Sequence, residues 1–272
     1  MSATAPTDNH GLVRPWERNR SFVLDSRSPS PSLAHLVDRH WRVRWNLPDC
    51  CPFQQEVLPH PSINIVLDPQ GARVWGVPTR RDVRLLHGRG WAMGTKFQSG
   101  AFTAITGIGA ATLTDRSAPI PHCLGGLLDP NLFTSSDQPH WDAAAAEIEE
   151  RLASSTTLHD PALELVGAVI HRMRELDPNA RVEEIAATHS IAPRTLQRLF
   201  QRYVGVSPKW VLKRLRIHQA VERLGEPLAV PWTTLALELG YYDDAHFIRD
   251  FRLVVGRSPA DYVSEVRLAQ ST

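Results

Sequence analysis

Cysteine is scarce in this chain: Cys50, Cys51 and Cys123 are all it has in 272 residues. Three thiols, two of them adjacent, exclude a disulfide framework and a four-thiolate zinc site. Adjacent cysteines bridge only with strain, so reduced thiols are expected. An excess of one charge is missing too. With 30 Lys+Arg against 29 Asp+Glu the net charge is +1, so any pull toward nucleic acid has to come from local patterning. No segment approaches the roughly 20 apolar residues that a membrane-spanning helix requires. The opening "MSATAPTDNHGLVRPWERNRSFVLDSRSPSPS" holds no apolar run of signal-peptide length. The expectation is a cytoplasmic protein with no membrane partner. His60, His87 and His122 form no His-x-His cluster, and His35 and His40 are five apart, a poor spacing for one helical face. No metal and no cofactor is expected. There is also no glycine-rich phosphate loop, no Gly-x-Ser-x-Gly elbow and no His-Glu-x-x-His, so nothing points to an enzyme.

What the chain does contain divides it in two. Residues 1–32 are polar and rich in Ser and Pro and read as a flexible arm. Over 33–135, short apolar runs such as "SINIVLD", "ARVWGV", "DVRLLHG" and "FTAITGIGA" alternate with Pro, Gly and Asp turns, which predicts a β-rich sandwich or barrel. Residues 136–177 read as a helical linker. There "HWDAAAAEIEERLA" places Trp141, Ala144, Ala145, Ile148 and Leu152 on one face, and Asp160-Pro161 offers an N-cap and a first helical position. From 178 to 268 the pattern is helical throughout. The fold class is α+β: a β-rich domain followed by an all-α domain.

The helical part repeats itself. Arg198 and Arg249, Phe200 and Phe251, Gly205 and Gly256, Ser207 and Ser258, and Pro208 and Pro259 are each 51 residues apart. Each copy has the layout of a helix-turn-helix. In the first, Leu196, Leu199, Phe200 and Tyr203 fall at core spacing, while Arg194, Thr195, Gln197, Arg198, Gln201 and Arg202 project from the other side. Residues 191–216 carry seven cations and no acid, with Lys209, Lys213 and Arg214 following the second helix. In the second copy, Asp243 suits an N-cap; Asp244, Ala245, His246 and Arg249 face out. A basic run alone is ordinarily a solvated surface. Here the cations lie on a repeated helix-turn-helix, interleaved with Gln. Arg can grip guanine, and Gln adenine, through paired hydrogen bonds in the major groove. The expectation is double-stranded DNA, with Lys209, Lys213 and Arg214 on phosphates.

The stretches "IAATHSIAPRTLQRLFQRYVGVSPKWVLKRLRIHQAVERL" and "LALELGYYDDAHFIRDFRLVVGRSPADY" resemble the AraC/XylS family of transcription regulators, with Gly240, Phe247, Arg249, Phe251, Gly256, Ser258, Pro259 and Tyr262 in place. The resemblance implies two helix-turn-helix units joined by a long helix and reading successive major grooves. It implies base contacts by Arg194, Gln197 and Arg198 in one groove and by residues at Asp244, Ala245 and Arg249 in the next. Asp244 departs from the family's usual neutral residue, and two roles stay open for it: accepting from a cytosine amino group, or sharing the helix cap. The resemblance further implies that the β-rich domain binds a small effector, dimerises, or both. "LPHPSINIVLD" and "GVPTR" look like a subgroup with a cupin-like sensor domain. Trp41, Trp45, Trp75 and Trp91 are the candidate lining for an apolar or aromatic effector, against an ordinary aromatic core. RNA polymerase and a second copy of the chain stand as further partners. Two alternatives remain: a thiol-responsive regulator built on Cys50, Cys51 and Cys123, and a constitutive DNA-binding protein whose N-terminal domain only dimerises.

Overall fold

The computed structural model describes residues 11–17, 20–120, 124, 138–153, 159–175, 180–226 and 230–271; His122 and Cys123 lie outside them. The N-terminal half carries strands β1 (Val23–Arg27), β2 (Val37–Asn46), β3 (Phe53–Val57), β4 (Asn64–Asp68), β5 (Gly71–Trp75), β6 (Asp82–Leu86), β7 (Arg89–Phe97) and β8 (Ser117–Pro119). Six form one antiparallel sheet in the order β1-β2-β7-β4-β5-β8, and β3 pairs with β6. Two expectations need correction. Residues 23–27, read as part of the arm, form β1 because Phe22 and Leu24 bury against Leu86 and Leu12. The run "FTAITGIGA", read as a strand, begins with the short helix α1 (Ala101–Thr106), which ends at Gly107 in a left-handed conformation. Its small and branched residues suit either state; burying Ala101, Phe102 and Thr103 on one face selects the helix.

Strand alternation sends two sets of residues to opposite faces of the large sheet. His40, Arg42, Ile65, Leu67, Val74, Met93 and Thr95 share one face, and helix α2 (Gln138–Ala153) covers it with Trp141, Ala144, Ile148 and Leu152. Polar groups on this face are paired. His40 bonds Thr95 Oγ1 at 2.8 Å and Glu149 at 2.9 Å, and the Arg42 guanidinium lies 4.5 Å from the Trp141 ring. Burial lowers the His40 pKa despite the opposing pull of Glu149.

The helical half contains α3 (Pro161–Glu175), α4 (Val182–Thr188), α5 (Pro193–Tyr203), α6 (Pro208–Leu224), α7 (Trp232–Glu238), α8 (Asp244–Val255) and α9 (Pro259–Gln270). The starts are written in the sequence. Asp160 accepts from the Ala162 N–H at 2.9 Å, Ser207 from Trp210, Asp243 from His246 at 2.7 Å and Ser258 from Asp261, with Pro at the first turn of α3, α6 and α9. The first unit, α4–α5, buries Ile185, Leu196 and Phe200. The second, α7–α8, buries Leu235, Phe247 and Phe251. Neither core is purely helical: Val77 joins the first, and Val13 and Leu58 join the second.

The two halves meet at each copy of the repeated glycine. Gly205 sits at φ +88°, and a Cβ there would lie 2.8 Å from Thr114 Oγ1 and 3.0 Å from the Ala110 carbonyl. Thr114 donates to the Gly205 carbonyl at 2.8 Å, and Thr103 donates to the Arg202 carbonyl at 3.3 Å. Gly256 sits at φ +84°, and a Cβ there would lie 2.5 Å from the Arg81 guanidinium. Beside it the buried Glu56 carboxylate of β3 is ion-paired with Arg81 and with Arg257, and Arg14 Nε approaches at 3.4 Å. Arg257 also pairs with Glu265. A third contact is made by α6: His218 Nε2 bonds the Pro59 carbonyl at 3.0 Å, and its ring meets His60 edge-on at 4.2 Å.

Two measurements check this interface. Glu56→Gln should lower unfolding free energy by about 3 kcal/mol, because it leaves three arginines facing one another without their shared acid. Urea titration reads this, and a loss below roughly 0.5 kcal/mol would show the cluster to be a surface ornament. The second concerns acid. Burial drives the His218 pKa down to about 3, and burial also lowers that of His60. Both rings stay neutral in the fold, while an unfolded imidazole takes up a proton near pH 6.5. Stability is therefore fully present above that pH and falls as pH drops. His218 alone should remove about 2 kcal/mol between pH 6.5 and 5. In His218→Gln the slope over this window should flatten.

Candidate DNA interface

Helix α5 is amphipathic to an unusual degree. Leu196 and Phe200 are fully buried, whereas Arg194, Thr195, Gln197, Arg198, Gln201 and Arg202 are exposed. Arg194 and Arg198 have no acidic partner among the described residues. The helix opens at Ala192 with no side-chain cap, and Pro193 follows. The Arg194 and Thr195 amides therefore lack both a helical acceptor and a capping oxygen, leaving donors at the end where a helix attracts anions. Ser190 holds the preceding turn at φ +55°.

Helix α8 offers a different surface. Asp244, Ala245 and Arg249 are exposed. Its first turn is already capped by Asp243, so the capping role considered for Asp244 falls to its neighbour, and among the described residues the Asp244 carboxylate has no hydrogen-bond or ion-pair partner. Asp250 points back to α6. It pairs with Lys213 at 3.0 Å and His246 at 3.4 Å and accepts from Tyr241. Lys213 and His246, both expected on DNA, are thus half-exposed and tied into this cluster. Lys209 is exposed at the start of α6, where a phosphate contact is open to it.

Arg214 departs further from expectation. It is 4% exposed, donates to the Thr79 carbonyl at 3.1 Å and stacks 4.5 Å over Trp210. Burial lowers its pKa to about 10, which leaves it charged near neutrality. Its place is between the halves of the molecule and not against a phosphate. The spacing that put it among the cations also puts it on the inner face of α6, with Val211 and His218. Sequence reasoning passed over Tyr242, which is 95% exposed at the turn before α8. The signal available was a second aromatic beside Tyr241, next to the capping Asp243.

The four candidate tryptophans do not line one cavity. Trp41 and Trp45 lie on the face of the sheet away from α2, over Gly94 and Gly90. A Cβ at Gly90 would lie 2.2 Å from the Trp45 ring. Trp41 donates to Asn64 at 3.3 Å, opposite Trp75, whose ring carries the Arg84 guanidinium at 4.3 Å. Trp91 is on the other face, packed into the core under α2. The cleft between that face and α2, lined by His40, Met93, Thr95, Trp141 and Ile148, has room for about one water molecule. Among the described residues no group of three or more His, Cys, Asp or Glu is placed to hold a metal, and no helix is long and apolar enough to cross a membrane.

Residues 25–119 match a domain of unknown function (DUF6597), and residues 185–265 match a helix-turn-helix domain family. The XylDLEGF operon transcriptional activator 1 of Pseudomonas putida is 27% identical over 124 residues, 43% of this chain and 37% of that protein. The RCS-specific HTH-type transcriptional activator RclR of Escherichia coli is 29% identical over 103 residues, 38% of this chain and 36% of its own. The chain spans about a third of the length of these curated relatives. A solved structure of ToxT from Vibrio cholerae O395 aligns with 91% of this chain and 98% of its own at 10% identity and a TM-score of 0.40, a distant likeness. The chain therefore joins a DUF6597 domain to a helix-turn-helix domain at residues 185–265, and over that second domain it is similar to AraC/XylS-type transcriptional regulators.

Proposed function

We propose that the chain is a sequence-specific DNA-binding transcriptional regulator in which the first unit supplies most of the affinity. The observation that carries this reading is the exposed, acid-free row Arg194, Gln197, Arg198 and Gln201 on an uncapped recognition helix. Arg198 and Gln197 reach base edges, the Arg194 and Thr195 amides and Lys209 meet phosphates, and Arg249 with Asp244 reads the second groove with less electrostatic gain. Arg202, Gln201 and Ala245 complete the contact surface. RNA polymerase and a second copy of the chain are the macromolecular partners this reading adds.

A small effector in the N-terminal domain is part of the reading. The aromatic face carrying Trp41, Trp45 and Trp75 suits an apolar or planar molecule better than the packed cleft under α2 does. A signal from that domain has a short path. Each helix-turn-helix unit touches it directly, at Gly205 and at Gly256.

The test is a selected binding site followed by fluorescence anisotropy. Arg198→Ala should cost about 1–3 kcal/mol and relax preference at one base position. Lys209→Ala should weaken all sequences alike and lower the salt slope by about 1. An unchanged site preference in Arg198→Ala would refute the base assignment. For the effector, native mass spectrometry of protein from its host should show one small apolar or planar molecule, and its extraction should change operator affinity. Ligand-free protein with unaltered affinity would leave a constitutive DNA-binding protein.

A further inference from the structure

We propose that Cys50 and Cys51 form a dithiol site that captures a trivalent arsenical through both sulfurs. The pair lies on the turn between β2 and β3, and both residues are exposed. The backbone there is fixed. The Cys51 N–H donates to the Pro48 carbonyl at 2.9 Å, closing the turn, and the Leu47 N–H donates to the Gly88 carbonyl at 2.9 Å, anchoring it to the neighbouring loop. Pro48 and Pro52 bracket the pair, and Pro52 confines Cys51 to extended conformations. The two sulfurs are 3.2 Å apart. A ligand that needs both finds them already together, with little ordering left to be done on binding.

That separation discriminates among chemistries. A disulfide needs sulfurs about 2.05 Å apart and Cα atoms usually at least about 4.4 Å apart. Neighbouring residues across a trans peptide offer only about 3.8 Å, so the direct bridge is strained. Zinc wants three or four protein ligands, and its tetrahedral angle would spread two sulfurs to roughly 3.8 Å. Among the described residues no third ligand joins the pair. Two sulfurs at the observed spacing, each about 2.3 Å from a shared soft atom, subtend about 90° there. That is the angle of a pyramidal centre bonding through its p orbitals, as trivalent arsenic does. An arsenical carrying one organic group needs two sulfurs and nothing more.

The thiol environment agrees. Arg42 and Arg44, the cations nearest in sequence, turn to Asp25. The hydrogen bond with Cys50 raises the Cys51 pKa, the opposite of what a peroxide-reactive thiolate requires. Condensation with an arsenical needs no oxidant. In R–As=O plus two thiols, two S–H bonds break and two As–S bonds form. The oxygen leaves with both protons as one water, and arsenic stays trivalent.

The experiment uses the full chain carrying Cys123→Ser and phenylarsine oxide as probe. Intact-mass spectrometry should show one phenylarsenic group per chain, with loss of one water. The adduct should survive dialysis against 2-mercaptoethanol and be stripped by 1,2-ethanedithiol. Adding either Cys50→Ser or Cys51→Ser should weaken capture roughly a hundredfold, since the second sulfur then no longer acts at high effective concentration. Circular dichroism of each variant should match the parent, since both positions are exposed. Equal retention in the single-cysteine variants, or no adduct on the parent, would overturn the assignment.

Discussion

The buried carboxylate of Glu56 is the point on which the arrangement of the molecule turns. It belongs to a strand of the N-terminal half, yet it answers Arg257 at the entrance to the last helix, Arg81 beside β6 and Arg14 near the chain start. An acid so enclosed is costly unless paired, and a pair so enclosed is costly to break. The consequence is positional. The second helix-turn-helix unit is held against the β-rich half by charge, while the first is held by close backbone packing at Gly205. The exposed faces of α5 and α8 therefore have their orientation set by residues on the opposite side of each unit.

The two units share a plan but differ in what they show to solvent. On α5 the polar face is unopposed and the helix start is open. On α8 the start is capped by Asp243, and Asp250 spends its charge on Lys213 and His246. Both helices bury the same aromatic position, Phe200 and Phe251, and the matched buried pair Leu196 and Phe247 is apolar in both, so the contrast in charge lies on the outer face and at the helix start. Internal symmetry keeps the scaffold constant and leaves the exposed residues free to diverge.

Much of this was legible in the sequence. Capping residues, the 51-residue repeat and the apolar stripe of α2 are local signals, and each appears where the spacing put it. What was not legible depends on partners distant along the chain. Arg214 reads as one more cation in a basic run, and only the docking of Thr79 and Trp210 makes it an interior residue. Trp41 and Trp91 read alike, but register places them on opposite faces of one sheet. Residues 23–27 are polar enough to pass for an arm, and their strand exists because β2 offers an edge. "FTAITGIGA" has no decisive period, so tertiary burial chose the helix.

The duplicated glycine has a mechanical meaning. Because each copy meets a different piece of the β-rich half, the molecule has two separate handles, one on each helix-turn-helix unit. Thr114 and Ala110 crowd the first and Arg81 the second, so a side chain added at one glycine strains one seam and meets none of the atoms that close the other.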